Sequence, residues 1–325
     1  MYNSEEILSL VNNYLDNLSY ERKPESLYEP IRYVLSIGGK RVRPTLMMLA
    51  YQLYKERPEQ ILGAACALET YHNFTLLHDD LMDQAPMRRG MPTVHKRWDA
   101  NTAILSGDQM LVMAFEQMSL SSGDKLTEVT PLFTRTMMEI GEGQQYDMEF
   151  ESRDDVSEDE YIEMIRLKTS VLLACALKIG AILGGAPKED ADRLYLFGEK
   201  LGLAFQLQDD YLDVYGDPKV FGKTIGGDIL SNKKTYMLIN AYARANDKQR
   251  EELRKWIHGD INGRGDEKIA AVTRLYNEIG INNLALSKIN SYFEECQDYL
   301  NAVSVAEERK AELRAYVAKM MKRDK

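Results

Sequence analysis

Two long apolar segments of this chain run into the same acidic pattern, and that limits the fold more than anything else in the sequence. Phe74-Thr75-Leu76-Leu77-His78 leads into Asp79-Asp80-Leu81-Met82-Asp83. Leu203-Ala204-Phe205-Gln206-Leu207-Gln208 leads into Asp209-Asp210-Tyr211-Leu212-Asp213. Both clusters read D-D-x-x-D. Helix positions i and i+4 share a face, so the first and last carboxylates of each cluster point the same way and repel by about 0.2–0.5 kcal/mol. One such cluster in an acidic protein reads as a solvated helix end. Two of them, at the inner ends of apolar helices, need a compensating cation. Carboxylate pairs that leave room for water and phosphate oxygens are how Mg²⁺ is usually held. The spacing predicts a Mg²⁺–diphosphate site built from two facing helices.

The surrounding pattern is helical almost throughout. Helices are expected over Leu27–Ile37, closed by Gly38 and Gly39, then over about Glu59–Met82, about Asn101–Ser119, and near 130–150 and 158–184. Another is expected over Glu189–Tyr215, which opens on acids and stops at Gly216-Asp217-Pro218. Shorter helices should fill the C-terminal third, and the prolines are read as falling between helices. No alternating β-branched run marks a strand, and no repeat or linker divides the chain. The expectation is an all-α fold, one domain over 1–325, as a large helical bundle around a central cavity.

Composition narrows the function. With 44% apolar residues in 325, a sizeable core is available, and a net charge of −10 argues against nucleic-acid binding. Cys66, Cys175 and Cys296 are odd in number and lie in apolar contexts, as reduced cysteines of a cytoplasmic protein would. The N-terminus carries Glu5 and Glu6 and no basic stretch, so it does not read as a signal peptide. The most apolar run, Val171–Gly185, is short and contains Lys178, which suits a core helix better than a membrane span.

Against this acidic background the basic clusters stand out. Gly38-Gly39-Lys40-Arg41-Val42-Arg43-Pro44 sets three cations around two glycines, where backbone can approach a ligand closely and arginine can grip phosphate. A surface-charged helix start accounts for that segment equally well. Arg88-Arg89-Gly90 follows the first acidic cluster, and pairing with the aspartates is its simpler explanation. Lys168-Thr169 lies in an apolar helix, where a lysine needs a partner. Gly222-Lys223-Thr224 and Lys233-Lys234-Thr235 follow the second cluster, and a charged helix face would also account for the second of these.

Taken in order, these pieces resemble the trans-isoprenyl diphosphate synthases, or polyprenyl synthetases. Gly143-Gln144-x-x-Asp147 and Phe205-Gln206-x-x-Asp209-Asp210-x-x-Asp213 match that signature as well, and the likeness runs from about residue 28 to residue 240. The resemblance implies a bundle of the isoprenoid synthase type. It also implies that Asp79 and Asp83 bind two Mg²⁺ ions and Asp209 a third, with Asp80, Asp210 and Asp213 supporting them. Arg88, Lys168 and Lys223 would contact an allylic diphosphate, and Lys233 would close over it. Lys40, Arg43, His72 and Arg89 would hold isopentenyl diphosphate, with Arg41 assisting. Thr169 and Gln206 would lie beside the developing carbocation. The partners implied are isopentenyl diphosphate, dimethylallyl, geranyl and farnesyl diphosphates, and a second copy of the chain, with no nucleic acid and no membrane span.

Product length in such enzymes depends on the residues before the first motif, here Tyr71, His72, Asn73, Phe74 and Thr75. On a helix, position 74 lies about 7.5 Å and position 71 about 12 Å along the axis from Asp79. One aromatic, Phe74, before an uninterrupted motif resembles the pattern of geranylgeranyl diphosphate synthases, so the expected product is C20. C15 is the alternative, and ordinary core packing also accounts for Tyr71 and Phe74. A terpene cyclase would not need Lys40, Arg41 and Arg43. A non-catalytic partner subunit would not be expected to keep both acidic motifs.

Overall fold

The computed structural model describes residues 1–18, 22–217, 225–259 and 263–322. Its first helices are α1 (Ser4–Asp16), α2 (Glu25–Ser36), α3 (Val42–Gln52), α4 (Leu62–Met82), α5 (Val94–Arg97) and α6 (Ala100–Ser121). They are followed by α7 (Leu126–Glu151), α8 (Glu158–Ile165), α9 (Val171–Gly184) and α10 (Lys188–Tyr215). Further helices span Gly227–Leu230, Tyr236–Arg244, Asp247–His258, Gly265–Ile279, Ile281–Asn301 and Glu307–Met321. The fold is all-α, as the periodicity predicts. Several details differ from that reading. Ile281–Asn301 is a long helix of 21 residues, not a short one. Pro30 and Pro131 sit inside α2 and α7, in the second turn of each, where each gives up one i→i−4 hydrogen bond.

Strand structure among the described residues is one antiparallel hairpin, β1 (Met87–Arg88) and β2 (Met91–Pro92). Each strand has two residues, too few for alternation to reveal. The expected single helix over 158–184 is interrupted by a π-helical turn at Arg166–Ser170. Such turns widen a helix by one residue and recur at functional sites.

Contacts group the chain into two compact units. The first comprises Met1–Thr134, Cys175–Leu194 and Ser304–Tyr316, and the second Arg135–Ala174, Tyr195–Val303 and Val317–Lys325. In the first, Ile31, Leu35, Leu77, Ala103 and Met110 form a buried cluster shared by α2, α4 and α6. Each large aliphatic side chain buried this way is worth roughly 1.5–3 kcal/mol. Gly180 on α9 lies against α3 so closely that a Cβ there would be 2.1 Å from the Met47 carbonyl oxygen. The segment Glu158–Gly184 is long and apolar enough to cross a membrane, but its most apolar window is 83% buried inside the protein, as a core helix is.

The second unit has its own core, with Leu203, Leu207 and Val214 of α10 packed among Met237, Leu253 and Leu275. Glycines let the π turn fit there. A Cβ on Gly143 of α7 would be 2.4 Å from the Lys168 nitrogen, and one on Gly202 of α10 would be 2.5 Å from Cα of Ser170. All three cysteines are buried and unbridged.

Candidate active site

The first acidic motif closes α4. Asp79 and Asp80 occupy its last turn, and Asp83 is the C-cap, its N–H donating to the Asp79 carbonyl at 2.9 Å. A helix C-terminus carries partial negative charge, so carboxylates there are disfavoured by about 0.3–1 kcal/mol each. The three acids divide. Asp80 is buried and accepts from Arg88 Nε at 2.7 Å. Asp79 is half-buried and Asp83 exposed, one turn apart on a single face. No three His, Cys, Asp or Glu side chains among the described residues converge into a ready-made metal cage. Two carboxylates on one face, at the negative end of a helix, suit a hard cation that completes its shell with water and phosphate oxygens.

The basic residues of the same unit gather around α4. The turn between β1 and β2 is Arg89-Gly90, with φ of +52° and +77°, the geometry of a two-residue type I′ hairpin. Left-handed backbone costs a non-glycine residue roughly 1–2 kcal/mol. This turn aims the Arg89 guanidinium at the Gly38 carbonyl, to which Nη1 donates. Gly39, at φ +145°, leaves room for it, since a Cβ there would be 2.6 Å from Nη1. Arg43 is half-buried, and its Nε has no hydrogen-bond partner among the described residues. Burial lowers its pKa to about 10, against the opposing pull of Glu69. Burial, then the nearby Arg43 and Arg89, also hold His72 well below the usual imidazole range, so it is neutral. Lys40 is exposed. An unsatisfied guanidinium donor among several cations is the chemistry of an anion site.

The Arg41 side chain is turned inward. It caps α3 from a left-handed conformation, φ +47°. Its Nη1 donates to Glu69 at 2.8 Å, Nη2 to the Leu35 carbonyl at 2.7 Å, and Nε to Asn12 at 3.1 Å. Both side chains of the Arg41–Glu69 pair are only 2% exposed. The donors on all three guanidinium nitrogens face protein acceptors, so Arg41 builds the turn that carries Lys40 and Arg43.

The aromatic residues before the motif pack tilted or edge-on. Tyr71 is buried, with its ring centroid 5.6 Å from Phe74 and 5.7 Å from Phe133. Phe74 also meets His78 at 4.8 Å. The Thr75 hydroxyl donates to the His72 carbonyl at 2.8 Å, within its own helix.

In the second unit the second motif closes α10. Asp209 and Asp213 are half-buried, and Asp213 accepts from the Asp228 N–H at 2.9 Å. Asp210 points inward and is buried. Its Oδ1 accepts from Gln206 Nε2 at 3.1 Å and its Oδ2 from the Tyr161 hydroxyl. Burial raises its pKa to about 7, against the pull of Lys233. Burial, then Asp210, push the Tyr161 phenol well above its usual range. On the π turn, Lys168 finds the partner that its apolar setting demanded, Asp147 of α7 at 2.6 Å. Thr169 Oγ1 donates to Gln206 Oε1 at 3.0 Å. Lys233 is exposed and its neighbour Lys234 pairs with Asp154 at 3.0 Å. Lys223 lies outside the described residues.

Within the first unit the structure therefore brings Arg43, Arg88 and Arg89 close to His72 on α4, whose last turn and C-cap carry Asp79 and Asp83. Within the second it brings together Lys168, Thr169, Gln206 and the motif of α10. The sequence reading missed Glu69 and Tyr161. Glu69 left a signal, because an acid directly after Ala64-Ala65-Cys66-Ala67-Leu68 in an apolar helix needs a partner. Tyr161 left none beyond a phenol on a helix that packs inward.

The polyprenyl synthetase family model matches residues 24–279. The geranylgeranyl diphosphate synthase of Methanosarcina mazei is 40% identical over 304 residues, which cover 91% of this chain and 89% of that protein. A solved geranylgeranyl pyrophosphate synthase superposes with a TM-score of 0.94 at 41% identity, covering all of both chains. The geranylgeranyl pyrophosphate synthetase of Pyrococcus horikoshii superposes with a TM-score of 0.91 at 31% identity, covering 99% of this chain and 97% of the other.

Proposed function

The chain belongs to the polyprenyl synthetase family, and on that premise we propose that it condenses isopentenyl diphosphate with allylic diphosphates to give geranylgeranyl diphosphate. It is a prenyltransferase. What supports the C20 reading is the coincidence of an uninterrupted first motif preceded by Phe74 with a relative of that name at 40% identity. One synthase domain over 1–325 is proposed.

The roles follow from charge. Asp79 and Asp83 would hold two Mg²⁺ ions and Asp209 a third, with Asp80, Asp210 and Asp213 fixing the motif ends. Bound Mg²⁺ supplies positive charge for the departing diphosphate. Arg88 leaves Asp80 or bridges it to the allylic diphosphate, which Lys168, Lys223 and Lys233 also contact. Lys40, Arg43, His72 and Arg89 hold the diphosphate of isopentenyl diphosphate. A neutral His72 donates one N–H to it without adding to the crowded positive charge. Thr169 and Gln206 turn oxygen dipoles toward the allylic carbon as its C–O bond ionises. The isopentenyl double bond attacks that carbon, and the proton then lost goes to the released diphosphate. Apolar walls keep water from quenching the cation.

The test is chromatography of products made from dimethylallyl, geranyl and farnesyl diphosphates, each with isopentenyl diphosphate. C20 is expected from all three, and Phe74→Ala should extend the product by at least one C5 unit. A C15 end point, or unchanged length in Phe74→Ala, would remove Phe74 as the floor. Hydrocarbon released without isopentenyl diphosphate would point to a cyclase instead.

A homodimer is also proposed. Leu105 and Val112, two turns apart on α6, are 60% and 61% exposed, and Leu120 is 81% exposed. An apolar stripe of this kind on a helix marks a contact surface. Sedimentation velocity should give the mass of two chains, and Leu105→Glu with Val112→Glu should give that of one. The unbridged cysteines suit the reducing cytoplasm.

A further inference from the structure

Four polar side chains of the second unit form one hydrogen-bonded series. Tyr161 on α8 donates its hydroxyl to Asp210 Oδ2. Gln206, one turn before Asp210 on α10, donates Nε2 to Oδ1 at 3.1 Å. Thr169 on the π turn donates Oγ1–H to Gln206 Oε1 at 3.0 Å. Tyr161 is 1% exposed and Asp210 3% exposed, so this end of the series is anchored inside the protein.

The direction of such a series is set at its buried end. Here Asp210 accepts at both oxygens, from Tyr161 and from Gln206, as an ionised carboxylate does, whereas an amide and a hydroxyl can each run either way. Tyr161 satisfies one oxygen of Asp210 and leaves the other to Gln206. That fixes the Gln206 amide with its nitrogen toward Asp210 and its oxygen toward Thr169. The Thr169 proton must then point at Gln206. What Thr169 has left to offer is oxygen lone pairs. Reversing the amide would turn the hydroxyl proton outward, placing a positive dipole end before any cation formed there. Fixed dipoles of the right sign need no reorganisation when charge develops.

We propose that Tyr161 is a positioning residue for prenyl transfer, which through Asp210 and Gln206 sets the direction of this series so that Thr169 presents lone pairs, and not its proton, to the cationic allyl group. This rests on the reading that Thr169 and Gln206 border the allylic carbon. Tyr161 touches no substrate and acts only through the residues it orients.

The test uses the full chain, with geranyl and isopentenyl diphosphates as substrates. Tyr161→Phe removes the donor and keeps the ring. Its kcat should fall by about 10–100-fold while both KM values stay within about two-fold. Thr169→Val should show a similar fall. The double variant should be no slower than Thr169→Val alone, because both changes remove one interaction. Multiplying losses in the double variant, or a rise in KM without a fall in kcat, would overturn the proposal. Should Tyr161→Phe fail to melt cooperatively, Thr169→Ser against Thr169→Val decides. The serine variant should keep kcat within about three-fold of wild type and the valine variant should not, and equal rates would overturn the proposal. A wild-type chain that forms no prenyl product fails the functional reading itself. A wild-type chain that does, with Tyr161→Phe matching it, fails only this proposal.

Discussion

Asp79→Asn is expected to lower kcat by about three orders of magnitude and to leave the protein folded. A cation that neutralises a leaving diphosphate is worth several kcal/mol in the transition state, and each 1.36 kcal/mol is tenfold in rate. Asparagine keeps the shape of the side chain and loses the charge that holds the ion. Stability should move the other way. Asp79 sits one turn from Asp83 at the C-terminus of α4, so removing its charge relieves like-charge repulsion and an unfavourable helix-end interaction, together about 0.5–1.5 kcal/mol. Without metal the variant should therefore melt at or slightly above the wild-type temperature. Steady-state turnover and a thermal melt in chelator read the two effects separately. Wild-type turnover would refute Asp79 as a metal ligand. A lost melt would mean that it holds the fold.

That inverse relation between charge and stability is why the acidic motifs were legible in the sequence. Acids at the ends of apolar helices run against both burial and the helix dipole, so they stand out in the sequence. α10 was readable to within a residue at its start, because acids open it and Gly216 closes it. The π turn was not readable. Its residues continue the apolar pattern of 158–184, and the glycines that leave room for it, Gly143 and Gly202, lie far away in sequence. The hairpin that aims Arg89 was hidden for another reason. Its turn places an arginine at positive φ, a conformation that composition favours only for glycine, asparagine and aspartate. Lys40, Arg41 and Arg43 look alike in sequence, and only the fold separates the one that faces Glu69, 28 positions on, from the exposed Lys40 and the half-buried Arg43.

Glu69→Gln should be the most destabilising single change in the first unit, by about 3–5 kcal/mol, because it leaves the Arg41 guanidinium buried without its counter-charge. Asn73 Nδ2 also donates to the same carboxylate, at 3.2 Å. The loss should reach the isopentenyl diphosphate site. Arg41 caps α3 from a left-handed backbone that is held by these bonds, and Lys40 and Arg43 flank it. Glu69 is also the carboxylate that opposes the lowered pKa values of Arg43 and Arg89. With it neutralised, the three arginines repel one another, and the turn should splay. Denaturant melts should show the lost stability, and steady-state kinetics should show KM for isopentenyl diphosphate rising about tenfold or more with KM for the allylic substrate little changed. The paired variant Arg41→Met with Glu69→Leu separates charge from packing. Replacing both members of a buried ion pair by apolar groups of similar volume is often neutral, so the pair should recover most of the stability. It should not recover the affinity for isopentenyl diphosphate, because the backbone of the turn would still lack its anchor at the Leu35 carbonyl. Full recovery of both would show that Arg41 and Glu69 contribute only volume.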